Sequence, residues 1–386
     1  RPTASLREAI INDASLTPLR RLVAVELLEE RTQDAKLEAE RAFGEITKDQ
    51  TDPAAVQAKA QAADLPPRVK EVVVASAAGW KYAPPVASDA EKLADAEAFS
   101  DFGTFDRVES TVTLSTAPSA AAMRHMQRLQ PKTLALSLDN ADSGLDTLRL
   151  LVDTTTGLKS LISLDLSGVN LTTEALRALA APDTGLTALT SLTLAYTNVT
   201  DEGLKALAGK DTGLRALTKL DLSSTNLTAE GFKALAAEDT GLKALTALRL
   251  YYTTMTDEGL KALAAKGTGL KALTSLSLSG QNVTDEGLKA LAAKDTGLKA
   301  LTSLSLSGQN VTDEGLKALS ATDTGLHGLT SLDVFGPKVT AEGLKAIAAK
   351  DSGLRVLTTL HLNGTEVTDE GIAAVKQRFP GIKIER

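Results

Sequence analysis

Cysteine is absent from all 386 residues, so the chain forms no disulfide, offers no thiolate to a metal and has no cysteine nucleophile. Histidine is nearly as scarce. His125, His327 and His361 are the only three and lie far apart, leaving little from which to build a zinc site or a histidine base. One Trp, four Tyr and seven Phe give few rings on which bases could stack, and a formal net charge of −7 lacks the phosphate-seeking field of a nucleic-acid binder. No phosphate loop, dinucleotide fingerprint, metal-binding His pair or nucleophile elbow occurs. These absences lead to the expectation of a non-enzyme with no cofactor, no metal site and no nucleic-acid partner. There is no run of about 18 apolar residues, so no transmembrane helix is expected. The chain begins Arg1-Pro2 without an initiator Met or apolar signal segment; its start reads as removed, which fits a cytoplasmic or an exported protein.

What is present is periodic. At 43% hydrophobic and 24% charged the composition is that of a soluble protein, but the length exceeds one ordinary core, pointing to two domains or a repeat array. A Gly-Leu step recurs at Gly157, Gly185, Gly213, Gly241, Gly269, Gly297, Gly325 and Gly353, each 28 residues after the last. The segments starting at Gly269 and Gly297 differ only at Ala292/Ser320 and Lys294/Thr322, the mark of a recent duplication. Within each unit Leu273, Leu276 and Leu278 follow strand alternation, and Leu288 and Leu291 then follow helical spacing. Each unit therefore reads as a strand followed by a helix. Thr284 is placed to cap the helix, and Asp285 and Glu286 put negative charge at the positive end of its dipole. Gly287 and its counterparts are poor helix formers, about 1 kcal/mol worse than Ala, so their recurrence predicts close approach of neighbouring helices. The corner Asp295, Thr296, Gly297 reads as a helix stop, with the glycine chosen for backbone freedom.

The order Leu189, Leu192, Leu194, Val199 resembles the leucine-rich repeat consensus L-x-x-L-x-L-x-x-N-x-L, here with Thr197 at the Asn position. The resemblance covers residues 133–386 with eight successive matches, nearest the ribonuclease-inhibitor-like subfamily and its bacterial members. It implies an α/β solenoid: a horseshoe with a parallel sheet on the concave side and helices on the convex side, stacked units sharing one core. The family's ladder Asn is replaced by Val169, Thr197, Thr225, Thr253, Gln281, Gln309, Pro337 and Thr365, so a buried amide ladder is at best a Thr/Gln version. A C-terminal cap is expected over residues 369–386, with a helix to Phe379 and a strand over Ile382 to Ile384. Strands over Val108 to Ser115 and Thr133 to Leu138, around a helix from Pro118 to Leu129, read as irregular first repeats.

Residues 1–105 lack the period and read as a helical N-terminal domain or cap, with joints at Pro66-Pro67 and Pro84-Pro85, ahead of a solenoid over residues 106–386. Trp80, Tyr82, Phe99, Phe102 and Phe105 precede the first repeat strand and are expected to cover the open end of the core, the alternative being an exposed aromatic patch.

On the sheet face, the positions between and after the strand leucines form columns of mostly small or hydroxylated residues. Tyr196, Arg249, Tyr251 and Tyr252 stand out from them as residue types that anchor interfaces, with Phe335 and His361 as a second patch; the bland alternative is tyrosines accumulated on a neutral surface. The helix-face lysines, such as Lys205 and Lys289, sit beside acids, as expected of a solvated face of weak ion pairs. Asp/Glu pairs such as Asp257-Glu258 serve the dipole and cannot converge on one substrate atom. The resemblance implies a protein-binding scaffold using the concave face. The alternatives are a self-assembling structural or cell-surface protein, and the substrate-recognition part of a bacterial effector, whose thioester type the absence of Cys excludes.

Overall fold

A computed structural model describes residues 103–106, 110–114, 129, 131–136, 158–279, 282–307 and 310–386. The helices expected within residues 1–105, the rings of Trp80, Tyr82, Phe99 and Phe102, the body of the helix expected over residues 118–129, and the ladder positions Gln281 and Gln309 lie outside them. Phe105 is half-buried on the first strand.

The described strands are β1 (Gly103–Asp106), β2 (Thr111–Leu114), β3 (Thr133–Leu136), β4 (Ser163–Asp165), β5 (Ser191–Thr193), β6 (Lys219–Asp221), β7 (Ala247–Leu250), β8 (Ser275–Ser279), β9 (Ser303–Ser307), β10 (Ser331–Phe335), β11 (Thr359–His361) and β12 (Lys383–Glu385). They form one open sheet in chain order, and every pair from β2 to β12 is parallel. From β4 to β11 one helix follows each strand: α1 (Thr173–Leu179), α2 (Asp201–Leu207), α3 (Ala229–Leu235), α4 (Asp257–Leu263), α5 (Asp285–Ala292), α6 (Asp313–Leu319), α7 (Ala341–Ala348) and α8 (Asp369–Arg378). The register pairs Ser163 with Ser191 and Ser275 with Ser303, so equivalent residues of successive units stand side by side. Leu164, Leu192, Leu220, Leu248, Leu276 and Leu304 stack as one buried column between sheet and helices. The last strand is one residue later than expected, at Lys383–Glu385, and α8 stops at Arg378 with Phe379 as its C-cap.

Each of the helices α1 to α8 carries the predicted threonine N-cap, with an acid in the first turn. The aspartate opening one helix also clips the cap of the next. Asp257 Oδ1 accepts from the backbone N–H of Thr284 (2.8 Å) and Gly287 (3.0 Å), while Oδ2 accepts from the Thr284 hydroxyl (2.7 Å). Asp201, Asp285 and Asp313 hold Thr228, Thr312 and Thr340 in the same way. At these clipped caps the threonine Oγ1 accepts from the residue two places on, as from Glu286 and Glu314. The clip is missing where Thr173, Ala229 or Ala341 replaces the aspartate, and Oγ1 of Thr200, Thr256 or Thr368 then accepts from the glycine three places on. The clip thus decides which amide the cap serves.

This arrangement explains the helix glycines. A Cβ on Gly315 would come within 2.5 Å of Asp285 Oδ1, and one on Gly343 within 2.5 Å of Asp313 Oδ1. At the unclipped joint between α3 and α4, Gly259 instead faces the Phe232 ring at 3.0 Å and the Met255 sulfur at 2.7 Å from where its Cβ would sit. Replacing Asp285 with Ala removes charge-assisted bonds to two groups of Thr312, on a partly exposed edge. The expected cost is about 1–2 kcal/mol, read as earlier urea unfolding and faster hydrogen exchange at the α5–α6 joint, with Asp257→Ala alike and Ala229→Ser near neutral.

Two expectations are corrected. The corner glycines are not needed for a left-handed turn, since Gly297 does not have positive φ; its N–H donates to Ala264 O of the preceding unit (2.9 Å), and a Cβ would collide with the Ala265 carbonyl and the Thr268 methyl. Close approach, not backbone freedom, requires glycine there. Nor do the threonines at the ladder position join units: Thr197, Thr225 and Thr253 donate to Leu194 O, Leu222 O and Leu250 O of their own unit at 2.6, 2.6 and 3.1 Å. At this position the hydroxyl stays within its own unit, and the backbone makes the bonds to the next one, as in Leu194 N to Asp221 O (2.8 Å) and Tyr196 N to Ser223 O (2.9 Å).

Candidate functional site

Leucines point inward along each short strand, which turns the intervening side chains out onto the sheet face. Arg249 leaves the middle of β7, with 67% of its side chain exposed and 3.8 Å from Asp221 Oδ2 on β6. Asp221 is held in turn by the Ser223 N–H at 2.9 Å. Tyr251 and Tyr252 follow directly after β7. Tyr251 is half-buried and threaded into the backbone network, its N–H reaching Ser223 Oγ (3.3 Å) and its carbonyl taking the Ser224 N–H (2.7 Å). Tyr252 is 75% exposed and Tyr196 70% exposed, the two most exposed of the large hydrophobic side chains described.

Tyr196, Ser224 and Tyr252 occupy one repeat position, 28 residues apart, in three successive units. All three are in the left-handed region, with φ of 59°, 57° and 55°. The same position holds Gly168, Gly336 and Gly364, each with positive φ, and by sequence Gly280 and Gly308. Glycine is the residue this turn favours, and a side chain here costs about 1–2 kcal/mol. Three adjacent units accept that cost, and two of them display a tyrosine. Strand spacing puts the two residues roughly 10 Å apart, with Ser224 between them.

The second patch does not join the first. Phe335, 46% exposed at the end of β10, lies three strands from Tyr251, beyond the serines of β8 and β9, and its ring covers Gly364. His361 pairs in register with Asp333, two positions from Phe335, and its Nε2 lies 3.3 Å from Glu385 Oε2. It belongs to the closing edge of the sheet, where Lys383 Nζ meets Glu385 Oε1 at 2.5 Å. The Lys383 ammonium, and secondarily His361, hold the Glu385 carboxyl below its ordinary pKa. A depressed carboxylate adds stability above its unfolded pKa that is lost as pH falls through the folded one. Amide exchange in β12 is therefore expected to quicken on acidification through the carboxylate range, and Lys383→Ala to remove most of that pH dependence.

Two features were not anticipated. Lys219, exposed at the start of β6, adds a second cation to the face beside Arg249; its column is otherwise small residues such as Ser191 and Ala247, and tabulating that column would have revealed it. On the helix side a cleft of about 340 Å³ between α7 and α8 is lined by Lys345, Lys350, Gln377 and Arg378 among others. Lys345 is engaged by Glu342 and Glu370, which raise its pKa, and no carboxylate lines the cleft. Among the described residues no group of three His, Asp or Glu side chains could hold a metal ion, and no helix is long and apolar enough to cross a membrane.

A family model described as Leucine Rich repeat matches residues 185–208, 213–236, 239–264, 270–292, 295–320, 327–348 and 353–376. The chain is a leucine-rich repeat protein. Similar solved structures include an internalin from Listeria monocytogenes (15% identity, 78% of this chain and 95% of that one, TM-score 0.39). Two others are a leucine-rich repeat protein from Leptospira interrogans (20%, 71% and 70%, 0.38) and a leucine-rich repeat-containing protein from Legionella pneumophila (18%, 71% and 89%, 0.45). No curated protein matches the chain. Leucine-rich repeat arrays commonly serve as protein-interaction scaffolds.

Proposed function

We propose that the chain is a non-catalytic scaffold of the ribonuclease-inhibitor-like type that holds a protein partner on its sheet face, centred on Tyr196, Arg249, Tyr251 and Tyr252. The observation that carries this reading is the run of three side chains in left-handed turns where the other units have glycine. Strain kept in adjacent units, at the most exposed rings, is the pattern of a surface retained for contact. Tyrosine and arginine are also the residues that most often dominate interface energetics, and Arg249 is oriented by Asp221. Phe335 and His361 form a separate, secondary contact region.

Titration calorimetry with a partner captured from source extract tests the reading. Arg249→Ala should weaken binding roughly 5- to 30-fold, as expected for an interface arginine, while Ser277→Ala and Ser305→Ala on the neighbouring strands change it less than twofold. Unchanged affinity for Arg249→Ala and for each tyrosine variant would remove this face from consideration. Recovery of the chain alone would favour the self-assembling alternative.

A further inference from the structure

Two rows of lysines run along the array in very different states. On the helices, Lys233, Lys289, Lys317 and Lys345 each meet the glutamate three residues earlier at 2.5 to 3.1 Å. At the corners that lead from helix to strand, Lys243, Lys266, Lys271, Lys294 and Lys299 are all exposed, and none of the five forms an ion pair. Lys243, Lys271 and Lys299 each stand four residues before a strand, at one repeat position, so they line up at about 4.8 Å per unit.

The acids of this edge show a gap in the same place. The corner has an aspartate at Asp211, Asp239, Asp295, Asp323 and Asp351, and Asp211 lies 3.6 Å from Arg215. In the unit between Asp239 and Asp295 the position is Gly267. Nothing in the backbone asks for glycine there: its φ is not positive, and a Cβ would meet nothing within 4 Å. The substitution removes a carboxylate from the middle of the lysine row without a packing reason. In a chain of net charge −7 these three successive corners carry five lysines against Glu238, Asp239 and Asp295, a local net charge of +2, with no acid at the middle corner.

We infer that this corner edge binds an extended acidic peptide segment of a partner protein, centred on Gly267. Alternate side chains of an extended peptide face one side at roughly 6.6 Å intervals, close enough to the lysine spacing for long, flexible side chains to follow. The strip displays no large apolar side chain, the exposed ones being Ile162, Tyr196, Tyr252, Phe335 and Val356, so bases would find no ring to stack on. It lies at the strand starts, whereas Tyr251 and Tyr252 follow the strand end. The inference therefore stands independently of the tyrosine site.

The test is fluorescence anisotropy of the full chain with a fluorescein-labelled deca-glutamate peptide. Binding is expected at about 20 mM salt and should weaken at least roughly tenfold at about 300 mM. The triple variant Lys243→Glu/Lys271→Glu/Lys299→Glu should lose roughly tenfold or more, and Gly267→Asp roughly two- to fivefold, with circular dichroism unchanged. The variant Lys289→Glu/Lys317→Glu/Lys345→Glu makes the same change in net charge on the helix row and should bind within twofold of the parent. Tyr252→Ala should also bind normally, which separates this site from the sheet-face reading. No binding at low salt, an equal loss in both triple variants, or equally tight binding of a labelled oligothymidylate of matched charge would each overturn the inference.

Discussion

Replacing Phe232 with alanine will destabilise the array by roughly 3–5 kcal/mol, more than any other single change outside the binding surfaces considered above. Phe232 is fully buried on α3 at a position where neighbouring units have Leu204 and Leu260. Its ring faces Gly259 at the joint where Ala229 has replaced the clipping aspartate, so no carboxylate holds Thr256 to the preceding unit. Apolar filling by Phe232 and Met255 takes the place of the clip. Removing the ring leaves a void at a joint whose caps share no carboxylate clip, where the side-chain bond beside them is Thr254 Oγ1 to Leu227 O (2.7 Å). In a linear array stability is a sum of unit and nearest-neighbour contributions, so the loss should fall at one joint. Urea unfolding of Phe232→Ala should broaden or split into two steps, with exchange protection lost first in α3 and α4. Phe232→Leu, which restores the neighbours' side chain, should cost less than about 1.5 kcal/mol. A single sharp transition shifted by under about 1 kcal/mol for Phe232→Ala would show that the joint is held by something else.

The second large effect is expected at the left-handed turns, and it has opposite signs for stability and binding. Tyr252→Gly and Tyr196→Gly relieve a conformation costing about 1–2 kcal/mol and remove rings that are 75% and 70% exposed, so little burial is lost. Each should raise unfolding stability by roughly 0.5–1 kcal/mol after the added flexibility of glycine in the unfolded chain is counted. The double variant should nonetheless lose about 100-fold in partner affinity, as expected for two anchor residues of roughly 1–2 kcal/mol each. Tyr252→Ala should bind as poorly as Tyr252→Gly but fold no more stably than the parent, since alanine leaves the strain in place. Thermal unfolding together with titration calorimetry reads both quantities. A double glycine variant that is more stable and binds normally would mean that the tyrosines are tolerated rather than retained.

The sequence period made the architecture legible because a repeat array expresses each structural requirement once per unit. Leu276 and Leu278 marked a strand, Thr284 its helix cap, and the regular Gly287 a close approach, each appearing where expected. The chemistry of contact between units was less legible. Asp285 reads as a dipole partner in a sequence, and its bonds to Thr312 appear only when the two helices stand side by side. Gly297 reads as a turn residue, yet the constraint comes from a carbonyl of the preceding unit, a partner that local pattern does not name. At the candidate site residue identity singled out Tyr196 and Tyr252, but backbone conformation added the stronger argument, since alignment with Gly168 and Gly364 acquires meaning only once φ is known. Phe335 and His361 occupy adjacent columns on neighbouring strands, and the contact of His361 with Glu385 appears only once β12 stands beside β11.

Site-specific photo-crosslinking tests the central claim, that the sheet face is the working surface, most directly. A benzophenone side chain placed at Tyr252, and in a separate protein at Lys289 on the helix face, would be irradiated in source extract and the adducts resolved by mass. The account predicts one adduct with a polypeptide other than this chain from position 252 and none from position 289. Adducts from position 289 alone, or adducts from position 252 only with second copies of the chain, would contradict it.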